Sequence, residues 1–275
     1  MSLRINTNVE ALNAHRQLTL TESSLNRSMQ KLSSGLRINT AADDAAGLAI
    51  SEKMRAQIRG TAQAQRNAMD AISLVQTAEG AIAEIQSIIQ RVRELAVEYN
   101  NGTMSSVDRA AVTVEVAQLS AEVKRIIQVT AFNGIQMLQS AQPITFQVGA
   151  NGGETIAVNA LDLGNAATWN YFGGVFQNAF TATMSDIDLV HAALSSVSDL
   201  RAQLGAVQNR LEHTVNNLAA YHENLSSAES RIRDADMAEE MTDYTKYQIL
   251  QQSGMSMLAQ ANQGPRSVLS LLQQG

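Results

Sequence analysis

The sequence predicts a mainly α-helical protein, with long antiparallel helices forming a coiled-coil-like rod, a small β-hairpin on its side and an amphipathic helix at each end. Three observations predict it. Proline, which removes a backbone donor and breaks helix interiors, occurs twice in 275 residues, far below its usual share of ~5%. Apolar residues recur in steps of three and four over long stretches, the spacing of a helical seam. In one region the period changes to two, as in a half-buried strand.

The elements follow in order. Leu18, Leu25, Met29, Leu32 and Leu36 mark a first helix. Ile72, Val75, Ile82, Ile85, Ile89 and Val92 mark a second, and from Ile82 the steps are three, four, three. Residues 100–106, NNGTMSS, read as a turn, and Ser105 with Asp108 fits a capping box that opens a third helix. Its seam is Val112, Val116, Leu119, Val123 and Ile126. A short loop between two such helices makes them antiparallel neighbours. Phe132-Asn133-Gly134 ends the helical pattern with a dipeptide that favours positive φ. Ile144, Phe146 and Val148, then Ile156 and Val158, alternate with polar residues on either side of GANGGE, which predicts a hairpin near residues 144–158. Residues 160–185, with Trp169, Tyr171, Phe172, Phe176 and Phe180, read as a short variable loop region.

After a second capping box at Ser185 and Asp188, one register carries Val190, Leu194, Val197, Leu204, Leu211, Val215, Leu218 and Leu225. Arg201, Gln208 and His222 are its polar members. No proline interrupts residues 186–234, and ~49 helical residues span ~73 Å. A compact globule of this chain has a radius of gyration of only ~19 Å, so such a helix implies a rod or part of a fibre. Met237, Met241, Tyr244, Leu250, Met257 and Leu258 form a stripe on a last helix, and Val268, Leu269, Leu271 and Leu272 follow Pro265. The two terminal segments have no partner except each other or a neighbouring molecule. Met237, Met241, Met255 and Met257 fit either an adaptable partner groove or plain helix packing, and both readings stand.

Several chemistries are excluded. The net charge of −6 and pI of about 5.3 do not suit a nucleic-acid binder. The absence of Cys rules out disulfides, thiolate metal sites and cysteine nucleophiles. His15, His191, His213 and His222 do not form a ligand set, because the position four after His222 is Ser226. Gly47 and Gly60 make neither a dinucleotide fingerprint nor a phosphate loop, and Asp43-Asp44 reads as a helix start. No nucleophile stands beside a base, so neither an enzyme nor a cofactor is expected. No segment approaches the ~18 apolar residues of a membrane span. Residues 1–10, MSLRINTNVE, lack the apolar core of a cleaved signal, so export without one is expected.

Residues 31–60, KLSSGLRINTAADDAAGLAISEKMRAQIRG, resemble the N-terminal signature of bacterial flagellin. The resemblance continues through QRVRELAV (90–97), FNG (132–134) and FQVGANGGETI (146–156). It resumes with LGAVQNRLEHTVNNL (204–218), AESRIRDADMAEEM (228–241) and MLAQANQ (257–263). It implies paired terminal helices, residues 1–44 with 235–275, as an inner domain forming the filament core, and residues 45–234 as the rod. Residues 160–185 leave no space for a large outer domain, so the chain resembles a minimal flagellin. Gly264-Pro265-Arg266 departs from the uncharged residues more usual there.

The resemblance implies a motility protein, a homopolymer outside the cell in the flagellar filament. The implied partners are an export chaperone, junction and cap proteins, and the vertebrate Toll-like receptor 5. It places Gln90, Arg91, Leu95 and Glu115 in receptor-contacting positions. Leu25, Met29, Leu32, Met237, Met241, Leu250, Met257, Leu258, Leu271 and Leu272 form the expected polymerisation and chaperone stripe. Isolated helices gain little stability without packing, so the ends are expected to be mobile in the monomer and to order on association. A head-to-tail contact that does not close then makes an open helical filament. Two other readings are a hook–filament junction protein and a surface homologue whose Trp169, Tyr171 and Phe172 stack on a polysaccharide. Those rings equally fit a cover over the hairpin.

Overall fold

The computed structural model describes residues 7–139, 142–159, 163 and 187–273, with side chains through residue 263. The Trp169, Tyr171 and Phe172 cluster and the capping box at Ser185 lie outside the described residues, as do the side chains of Leu271 and Leu272. The elements are α1 (Val9–Ser34), α2 (Ala45–Tyr99), α3 (Ser106–Val129), β1 (Ala131–Phe132), β2 (Ile135–Gln136), β3 (Ile144–Gln147), β4 (Thr155–Val158), α4 (Ile187–Arg233) and α5 (Met237–Gln273). The chain is mainly α-helical, with small two-stranded antiparallel sheets. It divides into two compact units, residues 57–223 and residues 1–56 with 224–275.

The unit of residues 57–223 is built on a continuous seam. On α2 a buried row runs Thr61, Ala64, Ala68, Ala71, Val75, Ala78, Ile82, Ile85, Ile89, Val92 and Ala96 in an unbroken three-four alternation, with Leu74 and Leu95 buried beside it. On α4, Val190, Val197, Leu204, Leu211 and Leu218 are buried in steps of seven. Burying each large aliphatic side chain is worth about 1.5–3 kcal/mol, so this seam dominates the unit's stability. Its polar member Arg201 reaches α2, donating from Nη1 to Gln86 (2.8 Å) and from Nη2 to Glu79 (3.3 Å). On α3 the buried row is Val112, Val116, Ser120, Val123 and Ile127, whereas Leu119 and Ile126 are half-buried. A straight helix of 3.6 residues per turn drifts against a strict seven-residue repeat, so the contact row moves one position along.

Ser105 and Asp108 close the expected capping box at the start of α3. The Ser105 hydroxyl holds the Asp108 carboxyl below its ordinary value. Asn133 (φ 49°) and Gly134 (φ 79°) join β1 to β2, a short hairpin beyond the turn expected there. Two consecutive positive φ angles are what a tight two-residue hairpin turn demands. β3 and β4 pair antiparallel as expected, with Ile156 and Val158 buried and Thr155 and Ala157 exposed between them. The tip of this hairpin approaches α2 so closely that a Cβ on Gly60 would lie 2.9 Å from Ala150 Cβ. Asn67 Nδ2 also donates to Gln147 O at 3.0 Å.

In the other unit α1 packs on α5. Asn8 caps α1 through Ala11 N and donates its amide to Ala261 O (2.8 Å). Ser28 Oγ donates to Glu240 O (3.3 Å), and Lys31 pairs with the Glu240 carboxylate at 3.3 Å. A Cβ on Gly254 would lie 3.2 Å from Leu18 Cδ1, so the helices meet closely there. Gly35, with φ 72°, ends α1. The chain then runs beside the end of α4, with Arg37 N donating to Arg233 O (2.7 Å) and Ala235 N to Gly35 O (3.0 Å). Arg233 is buried and donates from Nη1 to Glu52 at 2.6 Å. Asp44 Oδ1 takes the Gly47 N–H at 2.8 Å, and Asp43 closes the turn from Thr40.

Candidate functional site

Two surfaces carry the residues singled out from the sequence. The first is the terminal helix pair. The α1 row facing α5 is Ala11, Ala14, Leu18, Thr21, Leu25, Ser28 and Leu32, all buried or half-buried. The facing row on α5 is Glu240, Tyr247, Gly254 and Ala261 in steps of seven, with Gln251 and Leu258 beside it. Small and polar side chains fill much of this seam, so the helices approach closely while burying little apolar area.

The expected stripe therefore divides. Leu25 is buried, and Leu32 and Leu258 are half-buried. Met29 falls one position past the seam residue Ser28 and is exposed. Met237, Met241, Leu250 and Met257 are also exposed. At about 100° per residue, Met237, Met241 and Met255 fall on one side of the α1-facing row, and Leu250 and Met257 on the other. The single stripe expected on α5 is corrected to two flanks. Val9, Leu12 and Leu20 on α1 and Ile249 on α5 add exposed apolar surface that the sequence reading missed. Their signal was present: large aliphatic residues standing off the three-four row have no partner within the helix pair. Of the two readings of the four α5 methionines, their exposure supports a surface rather than plain packing within this chain.

The second surface lies on α2 and α3. Arg91 donates from Nε (3.0 Å) and Nη2 (2.9 Å) to one carboxylate oxygen of Glu115, and from Nη1 to Glu94 at 3.0 Å. The Glu94 hydrogen bond, then that of Glu115, raises the guanidinium above its ordinary value, so its charge is fixed. Arg91, Glu94, Glu115 and Gln90 are exposed, and Val97 and Val114 are exposed apolar residues of the same two helices. Glu94 is the member that the sequence reading missed, although its place three residues after Arg91 is the spacing of a helical ion pair. Leu95 stands apart from them. It is 2% exposed and belongs to the buried cluster with Val92 and Val112. The expectation that its side chain meets a partner is corrected: beside the seam residue Ala96, it is packed inside the buried cluster.

Nothing else among the described residues resembles a chemical site. No group of three His, Asp or Glu side chains there could hold a metal ion. Among the described residues, no helix is long and apolar enough to cross a membrane.

Helices joined along seams, with surplus apolar surface on the terminal pair, make a structural subunit fitted for assembly. The model of the bacterial flagellin N-terminal helical region matches residues 5–142, and that of the C-terminal helical region matches residues 187–272. A flagellin of Halalkalibacterium halodurans is 51% identical over 269 residues, covering 98% of this chain and 99% of that protein. A flagellin of Bacillus subtilis is 46% identical over 303 residues, covering 98% and 100%. A crystal structure of Bacillus cereus flagellin aligns at 32% identity with a TM-score of 0.50, over 60% of this chain and 94% of that one. The chain belongs to the bacterial flagellin family, in its minimal form without a large outer domain. It is a structural subunit of the flagellar filament, on the outside of the cell, and not an enzyme.

Proposed function

We propose that this subunit polymerises through α1 and α5, which form the filament core, with the seamed unit as the rod outside it. The observation that carries this reading is the exposed apolar surface on both flanks of the terminal pair: Val9, Leu12, Leu20 and Met29 on one helix, and Met237, Met241, Ile249, Leu250, Met255 and Met257 on the other. Water-exposed apolar area on this scale is a cost in the free subunit and a driving force once neighbours cover it, at about 25 cal/mol per Å². Removal of residues 1–40 or 240–275 is expected to abolish polymerisation while the rod still folds, because its seam lies outside both deletions. Sedimentation and electron microscopy after salt-induced assembly, with circular dichroism of the truncated chains, test this. Filaments from either truncated chain contradict it.

The same exposed apolar surface supports a dedicated export chaperone that covers α5 before the subunit assembles. A peptide of residues 235–275 should retain that chaperone in a pull-down, and full binding by a chain lacking those residues would move the site elsewhere. Cap and junction proteins then meet the filament ends through the same helices.

A second reading is recognition by Toll-like receptor 5 at Gln90, Arg91 and Glu115, with Glu94 added and the Leu95 side chain acting from beneath as a support. It is favoured by the exposed Arg91, whose donors are already arranged by two carboxylates and whose planar fork gives directional contacts. Receptor-reporter activation by monomer should fall for Arg91→Ala and Glu115→Ala with the fold intact. Wild-type potency in both variants contradicts the assignment.

A further inference from the structure

Every sulfur in this chain is a thioether: it has eleven methionines and no cysteine. The described methionines are not equivalent. Met137 is buried in the seamed unit, and Met54 and Met104 are half-buried. Met237, Met241, Met255 and Met257 are 48%, 49%, 51% and 64% exposed, and all four lie on α5. Met29 on α1 and Met69 on α2 are also exposed, but neither helix gathers such a group. A thioether is soft and polarizable, and without thiols to compete it is the first side chain an oxidant meets. We propose that the α5 methionine face is an oxidation site at which hydroperoxides stop the free subunit from assembling, and which assembly then shields. The proposal rests on α5 being an assembly surface.

The step is a two-electron oxygen transfer. A lone pair of the methionine sulfur attacks the terminal oxygen of the hydroperoxide, the O–O bond breaks and an S–O bond forms. Sulfur is oxidised to the sulfoxide. The remaining peroxide oxygen takes a proton and leaves as water, or as an alcohol from an organic hydroperoxide. The product is polar and chiral where the thioether was apolar and flexible. In the free subunit water solvates the new oxygen. Against a neighbouring subunit it must be buried without a donor, which opposes the contact. Met237, Met241 and Met255 share one flank and Met257 lies on the other, so oxidation affects both sides of the α1-facing row.

The test treats the purified full chain with hydrogen peroxide, once as subunit and once as salt-assembled filament. Sulfoxides are located by digestion and mass spectrometry as gains of about 16 Da each. Assembly of the treated subunit is read by sedimentation. A variant carrying Met237→Leu, Met241→Leu, Met255→Leu and Met257→Leu together is treated in parallel. The expected result is oxidation of all four sites in the subunit while Met137 stays intact, shielding of the four in the filament, and loss of assembly for oxidised wild type but not for the treated variant. Equal oxidation rates in subunit and filament would remove α5 from the assembly surface. Shielding in the filament with normal assembly of oxidised subunits would overturn the oxidation proposal and leave that surface standing. Equal loss of assembly in the treated variant would place the sensitive sulfur elsewhere and overturn it as well. Should the variant not assemble untreated, methionine sulfoxide reductases decide on wild type: restored assembly supports the proposal, and unrestored assembly of reduced chain overturns it.

Discussion

The seam between α2 and α4 and the seam between α1 and α5 use the same three-four spacing with different fillings. In the first, Val75, Ile82, Ile85, Ile89 and Val92 meet Val190, Val197, Leu204 and Leu211 in one buried cluster. In the second, Leu18, Leu25 and Leu32 are interspersed with Ala11, Ala14, Thr21 and Ser28 and face a row that includes Glu240, Gly254 and Ala261, while many of the pair's other large apolar residues lie on the flanks, exposed. The first keeps its apolar area inside the chain, and the second leaves much of it exposed to water. Helical period therefore locates a seam, and the size of the side chains on and off it tells whether the helix pair is complete alone.

Substitutions should separate the two seams. Leu211→Ala removes a fully buried side chain from the seamed unit and should cost about 2–5 kcal/mol. Urea unfolding followed by circular dichroism should show an earlier midpoint with an unchanged slope. Gly254→Val forces the α1–α5 approach at Leu18 to open, and overpacking of this kind costs about 1–3 kcal/mol. Its effect should appear as weaker assembly and faster amide exchange in α1 and α5, with the main unfolding transition unmoved. Ser105→Ala removes the cap of α3 and should lower the stability of the seamed unit by about 1 kcal/mol, read in the same urea transition.

Acid should act weakly and in one direction. The hydrogen bond from Arg233 holds Glu52 below its ordinary 4.5, and the Thr40 N–H holds Asp43 below its ordinary 3.8. Both carboxylates have lower values folded than unfolded. Their contribution is complete above the ordinary values and fades as pH falls through the lowered ones. The junction of residues 35–52 with 233–235 should loosen only below that range, and Glu52→Gln should show a smaller acid response. Amide exchange of Arg37 and Ala235, whose N–H groups bond across this junction, reads it directly.

The long helices, the hairpin and the α3 cap were legible because each leaves a strong local pattern: unbroken three-four spacing without proline, alternation of two around glycines, and Ser and Asp three apart. The division of the α5 stripe into two flanks was not legible from hydrophobicity alone. Met237 and Met257 are equally apolar, and only their angular places around the α1-facing row separate them. Leu95 stands beside the row that runs from Val92 to Ala96, so three-four spacing alone does not show that its side chain is buried. Glu94 was legible in principle, since it stands three residues after Arg91 on the same helix, whereas the Arg91–Glu115 contact joins two helices.

The central claim is that α1 and α5 are completed by neighbouring subunits, whereas the α2–α4 seam is complete in the single chain. Hydrogen exchange followed by mass spectrometry on free subunit and on filament tests it most directly, since amides exchange according to the free energy of local opening. The account predicts fast exchange along α1 and α5 in the subunit and strong protection there in the filament, with residues 75–92 and 190–211 protected in both. Equal protection of α1 and α5 in subunit and filament would contradict it.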